Sequence, residues 1–286
     1  MCEINKRGRA VNLVSLLVFA LRMAAASFGN SVVGREVEHT AVIEVASKLQ
    51  CEGLARLDTD PESALVALRQ AFALELKFGV IDDSLCRACS SLCRALARVP
   101  SGLVEAVAPL IQAIDTVEAR GETGAHEHRN FLARELHGLA RRLGDAAGPT
   151  GRLDELRAAD RAYERLAQLA QGHGLVLGNE AAELVLTQQE IYFQLANTVQ
   201  HIGTTLMRSG GTRDQEAACF YFQRALRKLR LAGLSEREPR MTEVRHLIKT
   251  AEDQLRAARV PPPKAPGAVP TTAGSSSADV EACTIQ

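Results

Sequence analysis

Residues 217–226 read Ala217-Ala218-Cys219-Phe220-Tyr221-Phe222-Gln223-Arg224-Ala225-Leu226. Ala218, Phe222 and Ala225 are spaced four and then three apart, which puts them on one face of a helix. A small, a large and a small residue on one face describe a helix that approaches its partner at the alanines and fills the gap beside them with a ring. The pattern recurs upstream as Ala64, Leu68 and Ala71, as Ala106, Leu110 and Ala113, and as Ala159, Tyr163 and Leu166. In each case the trio falls on the second helix of a pair.

Outward from these trios, helical periodicity continues from residue 11 to residue 259, with no alternating β-branched run long enough for a sheet. The spacing predicts helices over 11–28, 36–58, 61–78, 82–99, 101–120, 126–144, 152–172, 178–208, 213–232 and 239–259. Pro61 behind Asp60, Pro100 before Ser101, Gly148-Pro149, Gly172 with Gly174, Gly210-Gly211 and Gly233 mark the boundaries. Pro109 falls inside the fifth helix and should kink it. Short connections make successive helices antiparallel neighbours, so the expected class is all-α, built of helical hairpins.

The trios resemble the tetratricopeptide-repeat family, whose second helix carries A-x3-F-x2-A. Residues 217–226 match best, and Ile202-Gly203 with Leu206 stands where the family has L-G-x2-Y. The resemblance implies stacked hairpins, an α-α solenoid, and a groove that receives another protein or peptide. Two features depart from it. Successive small residues are 42, 53 and 59 apart instead of following a repeat of about 34, and the chain has no Trp. A lengthened, degenerate repeat domain is therefore expected over residues 36–259, with residues 1–35 as an N-terminal apolar segment. The last helix, apolar at Val244, Leu247, Ile248, Ala251 and Leu255, reads as a cap. Groove contacts are expected near residues 45–56, 86–97, 129–141 and 195–207. Family members that hold chaperone tails place Asn four residues after a Lys, whereas Lys48 here is followed by Glu52, which argues against a clamp of that kind.

Of the 286 residues, 34 are basic and 34 acidic, and 4% are aromatic. Such a balance recommends neither nucleic acid nor an anionic membrane as the main partner. A local surplus exists: thirteen Lys/Arg against seven Asp/Glu lie between Arg208 and Lys264. Arg224, Arg227, Lys228 and Arg230 are expected there as an exposed basic face for acidic headgroups or an acidic peptide, or as a plain solvated surface.

Beyond Val260 the chain turns to "PPPKAPGAVP" and "TTAGSSSAD", too poor in apolar area to offset ordering, so residues 260–286 are expected as a disordered tail. It finishes in Cys283-Thr284-Ile285-Gln286, which resembles a C-a-a-X box with Cys283 as the prenylated, membrane-tethering residue. One prenyl chain binds weakly, and the basic face or Cys2 is the candidate second signal. The N-terminus points elsewhere. Lys6, Arg7 and Arg9 precede the apolar run Val14–Leu21 and then Ala24-Ala25-Ala26, a layout shared by a secretory signal, a mitochondrial presequence and a first packed helix. The expected location is the cytosolic face of a membrane, with secretion or mitochondrial import as the alternative.

Cys86, Cys89 and Cys93 share a helical face and could converge on a soft metal. Close cysteine ligands usually sit on turns, and the same spacing is that of a buried apolar stripe, so core packing is the plainer reading. A helical thiol or metal sensor is the weaker alternative. His126 and His128 diverge on a helix and read as a solvated first turn. His137, His201 and His246 stand singly among apolar neighbours. Phosphate-loop, nucleophile-elbow and zinc-helix motifs are missing from the sequence. The expectation is a non-enzymatic adaptor with no cofactor, no metal and no nucleic-acid partner.

Overall fold

Pro61 enters a helix where its missing N–H costs nothing, and the Asp60 carboxylate accepts the Ser63 N–H at 3.2 Å. The computed structural model describes residues 32–78, 82–99, 101–121, 125–171, 175–176 and 185–259. Helices α1 (Val32–Arg56) and α2 (Pro61–Phe78) form the first hairpin. In the second, α3 (Asp82–Leu96) is followed by a single turn, α4 (Gly102–Glu105), and by α5 (Val107–Arg120). The third joins α6 (Ala125–Thr150) to α7 (Leu153–Leu169) and the fourth α8 (Gln188–Ser209) to α9 (Thr212–Leu231), after which α10 (Pro239–Arg259) packs on α9. The fold is all-α, with one small β ladder among the described residues: β1 (Leu175–Val176) pairs antiparallel with β2 (Val185–Leu186).

Three expected helices are redrawn, each for a local reason. The helix expected over 101–120 breaks at Ala106, between α4 and α5. Pro109 has no N–H to give the Glu105 carbonyl one turn back, so the bonding ladder fails there. The helix expected over 126–144 runs on to Thr150, past Gly148-Pro149. It stops where Gly151 takes a left-handed φ of 66°. Of the helix expected over 178–208, residues 178–184 lie outside the described residues, and α8 starts at Gln188 after β2, where Thr187 and Glu190 form a reciprocal cap. The Thr187 hydroxyl accepts the Glu190 N–H at 3.2 Å, and the Glu190 carboxylate accepts the Thr187 N–H at 2.8 Å. The helix expected over 11–28 and the tail 260–286 lie outside the described residues. The boundary expected at residue 36 falls inside α1.

A continuous apolar core runs from Leu57 to Ala251, and a smaller one joins Val42 and Ala46 of α1 to Leu74 of α2. Close approach within hairpins depends on glycine at three places among the described residues. A Cβ at Gly53 of α1 would fall 2.6 Å from Leu68 Cγ, one at Gly102 of α4 would fall 1.9 Å from the Leu96 carbonyl oxygen, and one at Gly203 of α8 would fall 2.7 Å from Phe222 Cε1. The second hairpin also brings a thiol close to backbone, since Cys93 Sγ lies 3.6 Å from the Ala106 carbonyl oxygen.

Alternate helices are linked by polar contacts. Among the second helices, Arg69 of α2 pairs with Glu105 at 2.7 Å, Arg165 of α7 with Asp115 of α5 at 2.7 Å, and Arg224 of α9 with Asp160 of α7 at 2.7 Å. Among the first helices, Gln50 of α1 donates to Ser91 of α3 at 2.8 Å, and Gln200 of α8 to Glu243 of α10 at 3.0 Å. Among the described residues, no helix is long and apolar enough to cross a membrane.

Candidate functional site

Helix α8 has an apolar side and a polar side, with Thr198 of the polar side buried. Leu195, Val199, Ile202 and Leu206 are buried, while Gln194, Asn197, Thr198 and His201 form a polar stripe at i, i+3, i+4 and i+7. That stripe is one wall of a cleft of about 630 Å³. Helix α6 supplies the facing wall with His137, Arg141, Gly144 and Asp145, spaced to share a face as well. Leu156 and Tyr163 of α7 form the floor, and Arg240 of α10 closes one side. The wall is open beside Gly144, where a Cβ would meet nothing within 4 Å.

The cleft's hydrogen bonds fix its basic groups. Arg240 donates to Asn197 Oδ1 at 2.8 Å and to Glu243 Oε2 at 2.8 Å, which locks α10 to α8. Arg141 lies 3.8 Å from Asp145 on the exposed rim. The His137 ring meets Tyr163 edge-on, with centroids 6.3 Å apart. Burial, reinforced by Arg141, holds the His137 imidazolium pKa below the ordinary histidine range. His201 is lowered likewise by burial and then by Arg240 and Arg208. The Tyr163 hydroxyl is pushed up to about 12, by burial first and by Asp145 second. At neutral pH the cleft therefore presents neutral imidazoles, a neutral phenol, guanidinium groups and side-chain amides. Such a set can hold polar or anionic groups by hydrogen bonds and charge.

Of these residues, sequence reading had singled out His137 and His201, each in isolation, and Tyr163 as a packing residue. Arg141, Asn197 and Thr198 fall within segments expected to line a groove without being named singly, and Asp145, Gln194 and Arg240 lie outside those segments. A polar stripe at heptad spacing on an otherwise apolar helix was the available signal for α8. Arg240 had none, because its neighbour Asn197 is 43 residues away.

The twelve trio residues Ala64, Leu68, Ala71, Ala106, Leu110, Ala113, Ala159, Tyr163, Leu166, Ala218, Phe222 and Ala225 are all buried. The four cations expected as one basic face are divided. Arg224 and Lys228 turn toward α7, where Arg224 pairs with Asp160 at 2.7 Å and Glu164 at 2.6 Å, and Lys228 with Glu164 at 2.9 Å. Lys228 Nζ also sits 5.3 Å above the Tyr192 ring. Only Arg227 and Arg230 are exposed, and Arg230 pairs with Glu236 at 2.8 Å. A continuous basic face is thus corrected to an ion-pair cluster between α7 and α9, favoured because buried carboxylates recruit nearby cations.

Cys86 and Cys89 are buried on α3 and Cys93 is half-buried. The hydrogen bond with Cys93, and then burial, push the Cys89 thiol well above its ordinary value. A thiol kept protonated is a poor nucleophile. A maleimide should accordingly modify exposed Cys51 in the folded protein and reach Cys86 and Cys89 only after denaturant is added. Peptide mass mapping reads this directly, and fast labelling of Cys89 in the native state would refute it. Among the described residues, no group of three His, Cys, Asp or Glu side chains is arranged to hold a metal ion. His126 lies on the surface of α6 and shares a 3.2 Å contact with Asn130, while His128 is 3.9 Å from Asp83. Lys48 pairs with Glu44 at 3.5 Å. Cys2 and Cys283 lie outside the described residues.

No protein-family model matches the chain, and no curated protein does.

Proposed function

We propose that this chain is a non-enzymatic adaptor whose hairpins stack as a solenoid resembling tetratricopeptide repeats, with the cleft between α6, α8 and α10 receiving a segment of another protein. The observation that carries this reading is the origin of the cleft walls. They come from the first helices of two successive hairpins and from α10, and their polar side chains other than buried Thr198 lie outside the apolar core. Two of the segments expected to line a groove, 129–141 and 195–207, contribute His137 and Arg141, and Asn197, Thr198 and His201. The links between alternate helices favour a stacked arrangement, since each hairpin then contacts chiefly its neighbours.

The test is site-directed crosslinking in the native cell. p-Benzoylphenylalanine placed at Gln194, on the exposed lip of the cleft, is expected to capture partner protein. The same group at Val66, which is 47% exposed on α2, serves as the control. Equal capture from both positions, or none from Gln194, sinks the groove. The membrane tether at Cys283 is a separable part of the proposal. Cys283→Ser is expected to shift the protein to the soluble fraction, and unchanged membrane association overturns the tether without touching the groove.

A further inference from the structure

We propose that the cleft takes an acidic peptide segment and that His137 and His201 each gain a proton as it binds, so the interaction tightens as pH falls. This rests on the groove reading above and adds the chemistry of the occupant and the regulation of its binding.

Charge around the cleft decides the occupant. Three guanidinium groups act there: Arg141 on α6, Arg208 on α8 and Arg240 on α10. Two carboxylates stand beside these guanidinium groups and offset two of the three charges. Asp145 lies beside Arg141, and Glu243 gives one oxygen to Arg240 and the other to Gln200. On α7, Tyr163 is neutral, while Asp160 and Glu164 are held by Arg224 and Lys228 of α9. A surplus of positive charge therefore faces the cleft at neutral pH, and each imidazole that protonates adds to it. A cationic or apolar peptide gains nothing from that field, whereas carboxylates are drawn into it. The exposed amide of Gln194 and the Nδ2 of Asn197, whose Oδ1 accepts from Arg240, suit the acceptors and donors of an extended backbone. A cleft of about 630 Å³, open at Gly144, has room for several residues of one.

Proton coupling follows from the same geometry. In the free protein both imidazoles are held neutral, by burial and by the arginines beside them. An incoming carboxylate offsets the arginine field and offers each N–H an acceptor, so the charged form gains relative to the neutral one. The bound-state pKa then lies above the free-state pKa, and binding takes up protons in the window between them. Affinity rises as pH falls through that window, while Asp and Glu of the peptide, titrating near 4, stay ionised.

The experiment uses the full chain and a fluorescein-labelled dodecapeptide of alternating Glu and Ser, with alternating Gln and Ser as the neutral control. Anisotropy should show the acidic peptide binding about tenfold tighter at about pH 5.5 than at about pH 7.5, and the neutral control should show no such gain. H137Q and H201Q should each flatten the profile, and the double variant should remove the gain. On the unmodified protein, NMR titration of the imidazole C2 protons should move to higher midpoints when the acidic peptide is present. Affinity indifferent to pH, or imidazole midpoints that stay in place, overturns the proton coupling. Preference for the neutral peptide overturns the acidic occupant. Either failure leaves partner capture at Gln194 standing, and loss of that capture is what removes the groove itself.

Discussion

Phe222→Ala is expected to lower stability by about 3–5 kcal/mol, read as the shift in urea midpoint at constant slope. The ring is fully buried and fills the space between α8 and α9. Its removal leaves a cavity whose floor is the backbone of Gly203, which cannot collapse inward without bending α8. Against a typical total of about 5–15 kcal/mol, such a loss threatens folding at physiological temperature. The complementary change is Gly203→Ala. Its Cβ would stand 2.7 Å from Phe222 Cε1 and 2.9 Å from Cδ1, so the ring must move in a packed interior. Overpacking of this kind costs about 1–3 kcal/mol, more than the roughly 1 kcal/mol that alanine gains over glycine in a helix. Combining Gly203→Ala with Phe222→Leu should be less harmful than the sum of the two, because the smaller side chain vacates the contested space. Simple additivity would show that the two residues do not share the contact.

Arg224→Ala is the second large expectation, at about 3–5 kcal/mol near neutral pH. It strips Asp160 of its cation and leaves Glu164 with Lys228 alone. In the intact protein the two carboxyls lean opposite ways. Burial raises Asp160 despite the hydrogen bond from Arg224. For Glu164, burial also works upward but is outweighed by hydrogen bonds from Lys228 and Arg224, so its pKa ends below the ordinary value. Glu164 thus contributes stability that is present above its unfolded pKa and lost as pH falls through its folded one. Asp160 imposes a cost at neutral pH that is relieved as it protonates. Without Arg224, Asp160 loses the hydrogen bond that opposes its burial and should rise further, while Glu164 keeps only the lowering influence of Lys228. The deficit of the variant should then be largest near neutrality and shrink as the pH drops toward 4 and both groups take up protons. Thermal melts of variant and parent across that range check the sign. A deficit that grows in acid would mean the cluster is not what Arg224 supports.

The cleft histidines respond to acid with the sign of Glu164 and not of Asp160, for a different reason. Partial desolvation and the arginines beside them disfavour the charged forms of half-buried His137 and of His201, which stays exposed on α8. Unfolded histidines accept protons near 6.5, so in the absence of a ligand stability should fall as pH drops below that value. An acidic occupant would reverse this locally, since it stabilises the protonated rings.

How much of this was legible in the sequence depends on the range of the interaction. The helices, their pairing into hairpins and the trios of each second helix follow from spacings of three and four residues. Pro109 announced a break, though the structure puts it one turn earlier, where the lost N–H would have bonded. Thr187 and Glu190 carried a capping signal that the long apolar pattern across 178–208 concealed. Cysteine spacing on α3 was ambiguous between ligand set and core, and the surrounding helices place two of the three thiols inside.

The sequence by itself determined that this is an all-α chain of paired helices and which faces of those helices are apolar. Local periodicity decides both, because a helix face is set by residues within one or two turns. Only the tertiary structure decided where the charges go. Arg224 meets Asp160 across 64 residues and Arg240 meets Asn197 across 43, so whether a cation ends in solvent, in an ion pair or on the wall of a cleft depends on which helix is packed beside it. The basic face read from α9 alone dissolved for that reason, and the polar cleft between α6, α8 and α10 emerged for the same one.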